Sequence, residues 1–287
     1  MKNLGRITLT LVLLLTATVS QARNKVIYGK DDRKDLHEVQ KALYLDLASS
    51  TAAMIERDRI STDGSDVTIN SSTLESRGIC KSERFSQQST AAMCSGFLVG
   101  EDLLVTAGHC IRSKSDCRSY KWVFGYAHDE AGKGITMTSD DVYGCSEIIE
   151  RDLNNSTMDD YALIRLDRKV TNRTPLTVRK EGQVETNTPI VVIGHPTGLP
   201  TKVAAGSNVR DQKDKYFVAN LDTFGGNSGS AVFNADTGVV EGILVRGEQD
   251  YEYDYNQGCR VVYKCADDGC RGEDVTRITN IQALMSM

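Results

Sequence analysis

The run Gly225-Gly226-Asn227-Ser228-Gly229-Ser230 sets a serine hydroxyl among three glycines, a backbone free to turn tightly and converge its N–H groups. A serine attacks a carbonyl when a base takes its proton and when N–H groups receive the developing oxyanion. Two other segments carry the missing groups. Thr106-Ala107-Gly108-His109-Cys110 offers a base, and Asp160-Tyr161-Ala162-Leu163-Ile164-Arg165-Leu166 offers a carboxylate at the head of an apolar run. Taken alone, the glycine-serine run reads equally as a surface turn. With His109 and Asp160 beside it, acyl transfer by Ser228 becomes the chemistry to test, with Asp159 as the neighbouring carboxylate that competes for the role of Asp160.

These residues sit in a chain whose local pattern is that of strands. From Ala91 onward short apolar runs alternate with turns rich in Gly, Asn and Asp, and 24 glycines against 4 prolines favour strands over helices. Cys94 to Val99 and Leu103 to Thr106 flank a Gly100-Glu101-Asp102 hairpin turn that delivers His109. Tyr120 to Tyr126, Glu147 to Glu150 and Asp160 to Leu166 follow. Arg165 to Thr188 reads as a linker, and beyond it Pro189 to Ile193, Tyr216 to Leu221, Ser230 to Phe233, Val239 to Val245 and Arg260 to Tyr263 are further strands. Glu273-Asp274-Val275 then reads as a helix start, with Ile278, Ile281, Leu284 and Met285 at helical spacing behind it.

The three motifs in the order His, Asp, Ser resemble the chymotrypsin-like serine peptidases, whereas subtilisin-like and α/β-hydrolase enzymes carry the same groups in other orders. Asn227 before the serine is similar to the bacterial branch that includes the staphylococcal glutamyl endopeptidases. The resemblance covers roughly residues 90 to 287. It implies an all-β fold, a double six-stranded Greek-key β-barrel with a C-terminal helix. The chain then divides into a leader (1–22), an N-terminal extension or propeptide leading into the body (23–89), a first barrel (90–175), and a second barrel with the C-terminal helix (176–287). It also implies a His109-Asp160-Ser228 triad, an oxyanion hole from the N–H groups of Gly226 and Ser228, and a disulfide between Cys94 and Cys110. Because Asn227 stands where the animal enzymes keep an Asp, their activating ion pair with a new N-terminus cannot form here.

For specificity the resemblance leaves several readings. Asp222 falls where trypsin-like enzymes keep the carboxylate at the base of the primary pocket, which favours Lys or Arg before the scissile bond. Thr223, together with Arg246 on the Val245-Arg246-Gly247 wall, fits an acidic preference instead, although Leu244 stands where the glutamate-specific branch has a histidine. Arg246 can equally neutralise Asp222, and small or broad specificity is a third reading. His195 reads as structural, and so does His37.

Lys2 and Arg6 precede an apolar run from Ile7 to Val19 and the small-residue stretch Ser20-Gln21-Ala22, the pattern of a secretory signal peptide cleaved after Ala22. The run is short for a membrane anchor, since spanning needs about 20 residues. A secreted or periplasmic peptidase is therefore the expectation, monomeric, free of the membrane once the signal is cleaved, and taking proteins or peptides as substrates. Removing residues 1–22 takes the net charge from −5 to −7, which argues against nucleic acid as a partner. Eight cysteines in an exported chain argue for disulfides. Six of them are left open as to partner, and no zinc ligand set or cofactor motif is legible. A catalytically silent homologue that binds a partner through the same fold is the alternative from another functional class; silent forms typically lack a triad member, and none is missing here.

Overall fold

The computed structural model describes residues 27–287. The signal-peptide expectation for residues 1–22 lies outside them. Twelve strands make two closed antiparallel barrels of six. The first comprises β1 (Thr51–Glu56), β2 (Cys94–Leu98), β3 (Leu103–Thr106), β4 (Tyr120–Phe124), β5 (Val142–Leu153) and β6 (Asp160–Leu166). The second comprises β7 (Pro189–Gly194), β8 (Lys202–Gln212), β9 (Tyr216–Ala219), β10 (Ala231–Asn234), β11 (Val240–Arg246) and β12 (Glu273–Arg277).

Going around the first barrel the order is β1-β2-β3-β6-β5-β4 and back to β1, and around the second it is β7-β8-β9-β12-β11-β10 and back to β7. The two halves thus share one Greek-key connectivity without sharing sequence. A barrel has no free edge to template aggregation, and closure lets nearly every inward side chain be apolar. Along β7, Ile190 and Val192 fill the second barrel, while Val191 and Ile193 join Phe97, Leu104 and Leu163 in a core that spans both barrels. That strict alternation is the period-two geometry of a strand buried on both faces. The shared core fixes the two barrels against each other, and the loops that meet along the seam carry the candidate site.

Four elements differ from the sequence expectation. The first barrel begins at Thr51, inside the segment read as an extension or propeptide; two alanines in Thr51-Ala52-Ala53-Met54-Ile55-Glu56 weaken its strand signal, yet it closes the barrel between β2 and β4. Removal of the chain through residue 56 would open that barrel. Strand β8 has no counterpart among the expected strands; it runs through Gly206, Ser207 and Asn208 with pairing shifts against β7 and β9. Arg260 to Tyr263 is not a barrel strand: Cys259–Val262 pairs with Tyr251–Asp254 in a separate hairpin. The sixth strand of the second barrel is instead Glu273–Arg277, all five residues buried. The C-terminal helix is consequently a single short turn, Gln282–Met285, after a 3-10 turn at Ile278–Asn280.

Ahead of β1 the chain wraps the second barrel. Arg33–Lys34 pairs with Val203 and Ala204 of β8, a stretch that β9 does not reach, and a 3-10 turn at Leu36–Glu38 is followed by a helix at Ala42–Ser49. The Lys202 ammonium, 2% exposed, donates to the Asp35 carboxylate at 2.6 Å, to Gln88 at 2.8 Å and to the Pro200 carbonyl at 3.0 Å. All eight cysteines are paired, as Cys80–Cys259, Cys94–Cys110, Cys117–Cys145 and Cys265–Cys270. The first of these ties the external hairpin to the connection between β1 and β2, across 179 residues of sequence. Among the described residues no helix is long and apolar enough to cross a membrane.

Candidate active site

Strands β3 and β6 are paired, with Thr106 opposite Ala162. That register sets the chain after β3 beside the head of β6, so His109 meets Asp160. The contact is two-pointed. His109 Nδ1 lies 2.7 Å from Asp160 Oδ2, and the His109 backbone N–H donates to Oδ1 at 3.0 Å. Asp160 is 2% exposed. A carboxylate held this way keeps the Nδ1–H tautomer and leaves Nε2 free to accept a proton. Asp159, one residue earlier in the chain, is turned elsewhere and accepts from Asn280 Nδ2 at 2.7 Å.

Ser228 arrives from the second barrel, three residues before β10. Gly226 and Gly229 bracket it with φ of +97° and +88°, the left-handed region that a side chain would strain. The loop is pinned to its surroundings: the Ser95 N–H donates to the Ser228 carbonyl at 2.8 Å, and the Ser95 hydroxyl donates to the Gly226 carbonyl at 2.9 Å. The N–H groups of Gly226 and Ser228 donate to no protein acceptor among the described residues. Ser228 and His109 line one cavity of about 310 Å³, with Cys94 and Cys110 in its wall. The sulfurs of Cys94 and Cys110 lie near His109 in a grouping that could resemble a metal site, but they are bonded to each other and are not thiolate ligands.

Two closed six-stranded barrels with a His, an Asp and a Ser brought to their seam agree with the match of a family model, the trypsin-like peptidase domain, to residues 94–243. The chain belongs to the trypsin-like peptidase domain family. It is a serine endopeptidase of the chymotrypsin-like fold. No curated protein matches it. Among solved structures it is similar to a Glu endopeptidase in complex with MPD, with a TM-score of 0.51 at 15% identity over 91% of this chain and 98% of that one. It is likewise similar to the VesB protease of Vibrio cholerae, with a TM-score of 0.52 at 15% identity over 91% of this chain and 67% of that one. At this identity the likeness is one of fold.

A second cavity of this peptidase, about 130 Å³, is also lined by Ser228. Thr223, Val245, Arg246 and Gly247 line it, together with Glu248, Asp250 and Glu273. Asp222 does not. Its carboxylate is 4% exposed and accepts the backbone N–H groups of Tyr28 and Asp32, each at 2.8 Å. Burial pushes this carboxyl up to about 7, against the pull of those two donors. It therefore fastens the N-terminal wrap rather than facing the cavity. The Arg246 guanidinium is also turned away: Nε donates to Asp274 at 3.2 Å, Nη2 to the Met158 carbonyl at 3.0 Å, and Nη1 lies 3.7 Å from Asp160 Oδ2. Thr223 spends its hydroxyl on Glu273 at 2.7 Å.

Sequence reading missed three acids of this cavity, Glu248, Asp250 and the one that is buried, Glu273. Glu273 opens β12, which looked like a helix start, and the clue available was a charged residue heading the β-branched run Val275-Thr276. His195 is fully buried, with Nδ1 3.1 Å from the Leu199 carbonyl, and burial pushes it down to about 3. It is a neutral part of the core.

Proposed function

We propose that this serine endopeptidase is exported and hydrolyses peptide bonds through an acyl-enzyme on Ser228, with His109 and Asp160 completing the triad. His109 Nε2 takes the hydroxyl proton as Ser228 attacks the carbonyl carbon, and the C–N bond breaks when the imidazolium returns a proton to the leaving amine. Water then repeats the sequence on the ester, and the chain regains its serine. Asp160 keeps the imidazole in the required tautomer and stabilises the imidazolium. The free N–H groups of Gly226 and Ser228 receive the oxyanion, each worth on the order of 3 kcal/mol in the transition state. The observation that carries the reading is the two-point hold of Asp160 on His109 at the wall of the cavity that Ser228 also lines.

Export is supported by the four disulfides, which persist in oxidising compartments, and by the signal-like residues 1–22. A basic side chain is the proposed occupant of the primary pocket, because its wall holds three carboxyl groups and one guanidinium that is committed elsewhere. The acidic preference loses its two candidate groups, since Thr223 and Arg246 are both engaged within the protein. The test is digestion of a peptide library by the secreted protein and by Ser228→Ala, with cut sites read by mass spectrometry and Ser228 reactivity read with a fluorophosphonate probe. Internal cuts and labelling that both vanish in the variant are expected. Cleavage that survives Ser228→Ala would overturn the triad assignment, and a wild-type protein that neither labels nor cuts would place the chain among binding homologues.

A further inference from the structure

Glu273 is a buried acid with no cation of its own. It is 2% exposed and makes no ion pair with a Lys, Arg or His among the described residues. Its partners are neutral donors: the Thr223 hydroxyl at 2.7 Å on Oε2, and on Oε1 the Glu248 N–H at 3.2 Å and the Tyr28 hydroxyl at 3.4 Å. Burying a carboxylate without a counter-charge is costly, and here burial pushes the group up to about 8, so that near neutral pH the free enzyme holds it largely as the neutral acid, and a cation entering the cavity would draw off its proton and pair with the anion. Natural cores seldom keep such a group unless something pairs with it.

The geometry says where that partner would come from. Glu273 heads β12 opposite Ala219 of β9, and successive strand residues point to opposite faces. Asp274 therefore goes the other way, to Arg246 and Arg271, while Glu273 lines the 130 Å³ cavity that Ser228 borders. Gly247 forms the adjoining wall, and a Cβ there would come within 1.7 Å of Glu273 Oε2. The missing side chain at Gly247 is thus the space that the carboxyl group occupies. The charges around it are already committed: Asp250 to the Gly225 N–H at 2.8 Å, Arg246 as described, and Arg271, the cation whose field reaches Glu273, to Asp274 at 2.7 Å and Glu248 at 3.9 Å.

We propose that Glu273, rather than Asp222, is the residue that selects a lysine or arginine side chain before the scissile bond, with the substrate's ammonium or guanidinium as its missing counter-ion. This rests on the reading of Ser228 as the nucleophile. Thr223 and the Glu248 N–H hold the carboxylate in place, and Tyr28 ties that hold to the N-terminal wrap. Asp222 lies behind the pocket and contributes only by fastening Tyr28 and Asp32.

The test compares kcat/KM for peptides that differ only at the residue before the scissile bond, Lys, Arg, Ala, Leu or Glu, in wild type, Glu273→Gln, Glu273→Asp and Asp222→Asn. Glu273→Gln keeps the shape and removes the charge. It is expected to lower the Lys and Arg values about 100-fold or more and to leave Ala and Leu within a few-fold. Glu273→Asp should recover part of the loss, more for Arg than for Lys because the carboxylate retreats by one methylene. Asp222→Asn should keep the Lys and Arg preference. Fluorophosphonate labelling, which needs no side chain in the pocket, reports Ser228 separately, and benzamidine should slow labelling of wild type but not of Glu273→Gln. A wild-type protein that labels yet prefers Glu or Leu, or a Lys preference that survives Glu273→Gln and fails in Asp222→Asn, would overturn the assignment and leave the triad standing. Absence of labelling in wild type would overturn both.

Discussion

Replacing Asp160 by Asn isolates what the two-point contact does for His109. The carboxylate accepts twice, at Nδ1 over 2.7 Å and at the backbone N–H over 3.0 Å. A carboxamide can accept only once and must present an NH₂ group to the other position. With its oxygen on the backbone N–H, the NH₂ faces Nδ1, the ring proton moves to Nε2, and the base can no longer take the proton of Ser228. With the oxygen on Nδ1–H, the NH₂ meets a backbone donor in a site that is 2% exposed at residue 160, and the imidazolium loses its negative partner. Both placements fail, so kcat is expected to fall about 10⁴-fold, which is about 5 kcal/mol of barrier. KM should change little, since Asp160 lies behind the histidine. The assay is steady-state hydrolysis of a peptide substrate alongside fluorophosphonate labelling, with thermal melting to confirm that the variant folds. A folded Asp160→Asn enzyme within ten-fold of wild-type kcat would refute the assignment of Asp160 as the orienting carboxylate.

Two further perturbations address how the N-terminal wrap is held. Asp222 has its native pKa raised from an ordinary 3.8 to about 7, so the folded chain binds a proton that the unfolded chain has lost. Stability from this group is full below about pH 4, declines as pH rises toward 7, and is then lost, by on the order of 3–4 kcal/mol across the window. Asp222→Asn should therefore gain in melting temperature relative to wild type between pH 4 and 7, and a constant difference across that range would exclude the buried acid as the cause. Asp35→Ala leaves the Lys202 ammonium buried without its anion, at a cost of about 3–5 kcal/mol, whereas Asp35→Asn retains an acceptor and should cost less. Urea denaturation reads both, and a loss below about 1 kcal/mol in Asp35→Ala would show that Gln88 and the Pro200 carbonyl suffice.

The sequence carried the chemistry because the catalytic groups sit in short motifs whose local conformation is written in the residues themselves. Glycines around Ser228 demand left-handed backbone, the apolar run after Asp160 demands a strand, and eight cysteines behind a signal-like leader demand oxidised pairs. Strand runs such as Leu103–Thr106 and Val240–Arg246 were legible for the same reason, since β-branched and aliphatic residues announce themselves locally. Thr51–Glu56 and Lys202–Gln212 were not, because alanine, glycine and serine become strand only when neighbours on both sides complete the ladder. Tertiary structure alone decided the rest. The repetition of one Greek-key order in two barrels is a property of pairing and has no trace in composition. Which carboxylate faces the pocket depends on the parity of a strand that first looked like a helix, so that Glu273 points inward, Asp274 outward, and Asp222, which motif position nominates, turns to the backbone of a segment nearly 200 residues away. Local conformation is encoded by neighbours in sequence, but the direction in which a charge points across a barrel is fixed only when distant strands close on one another.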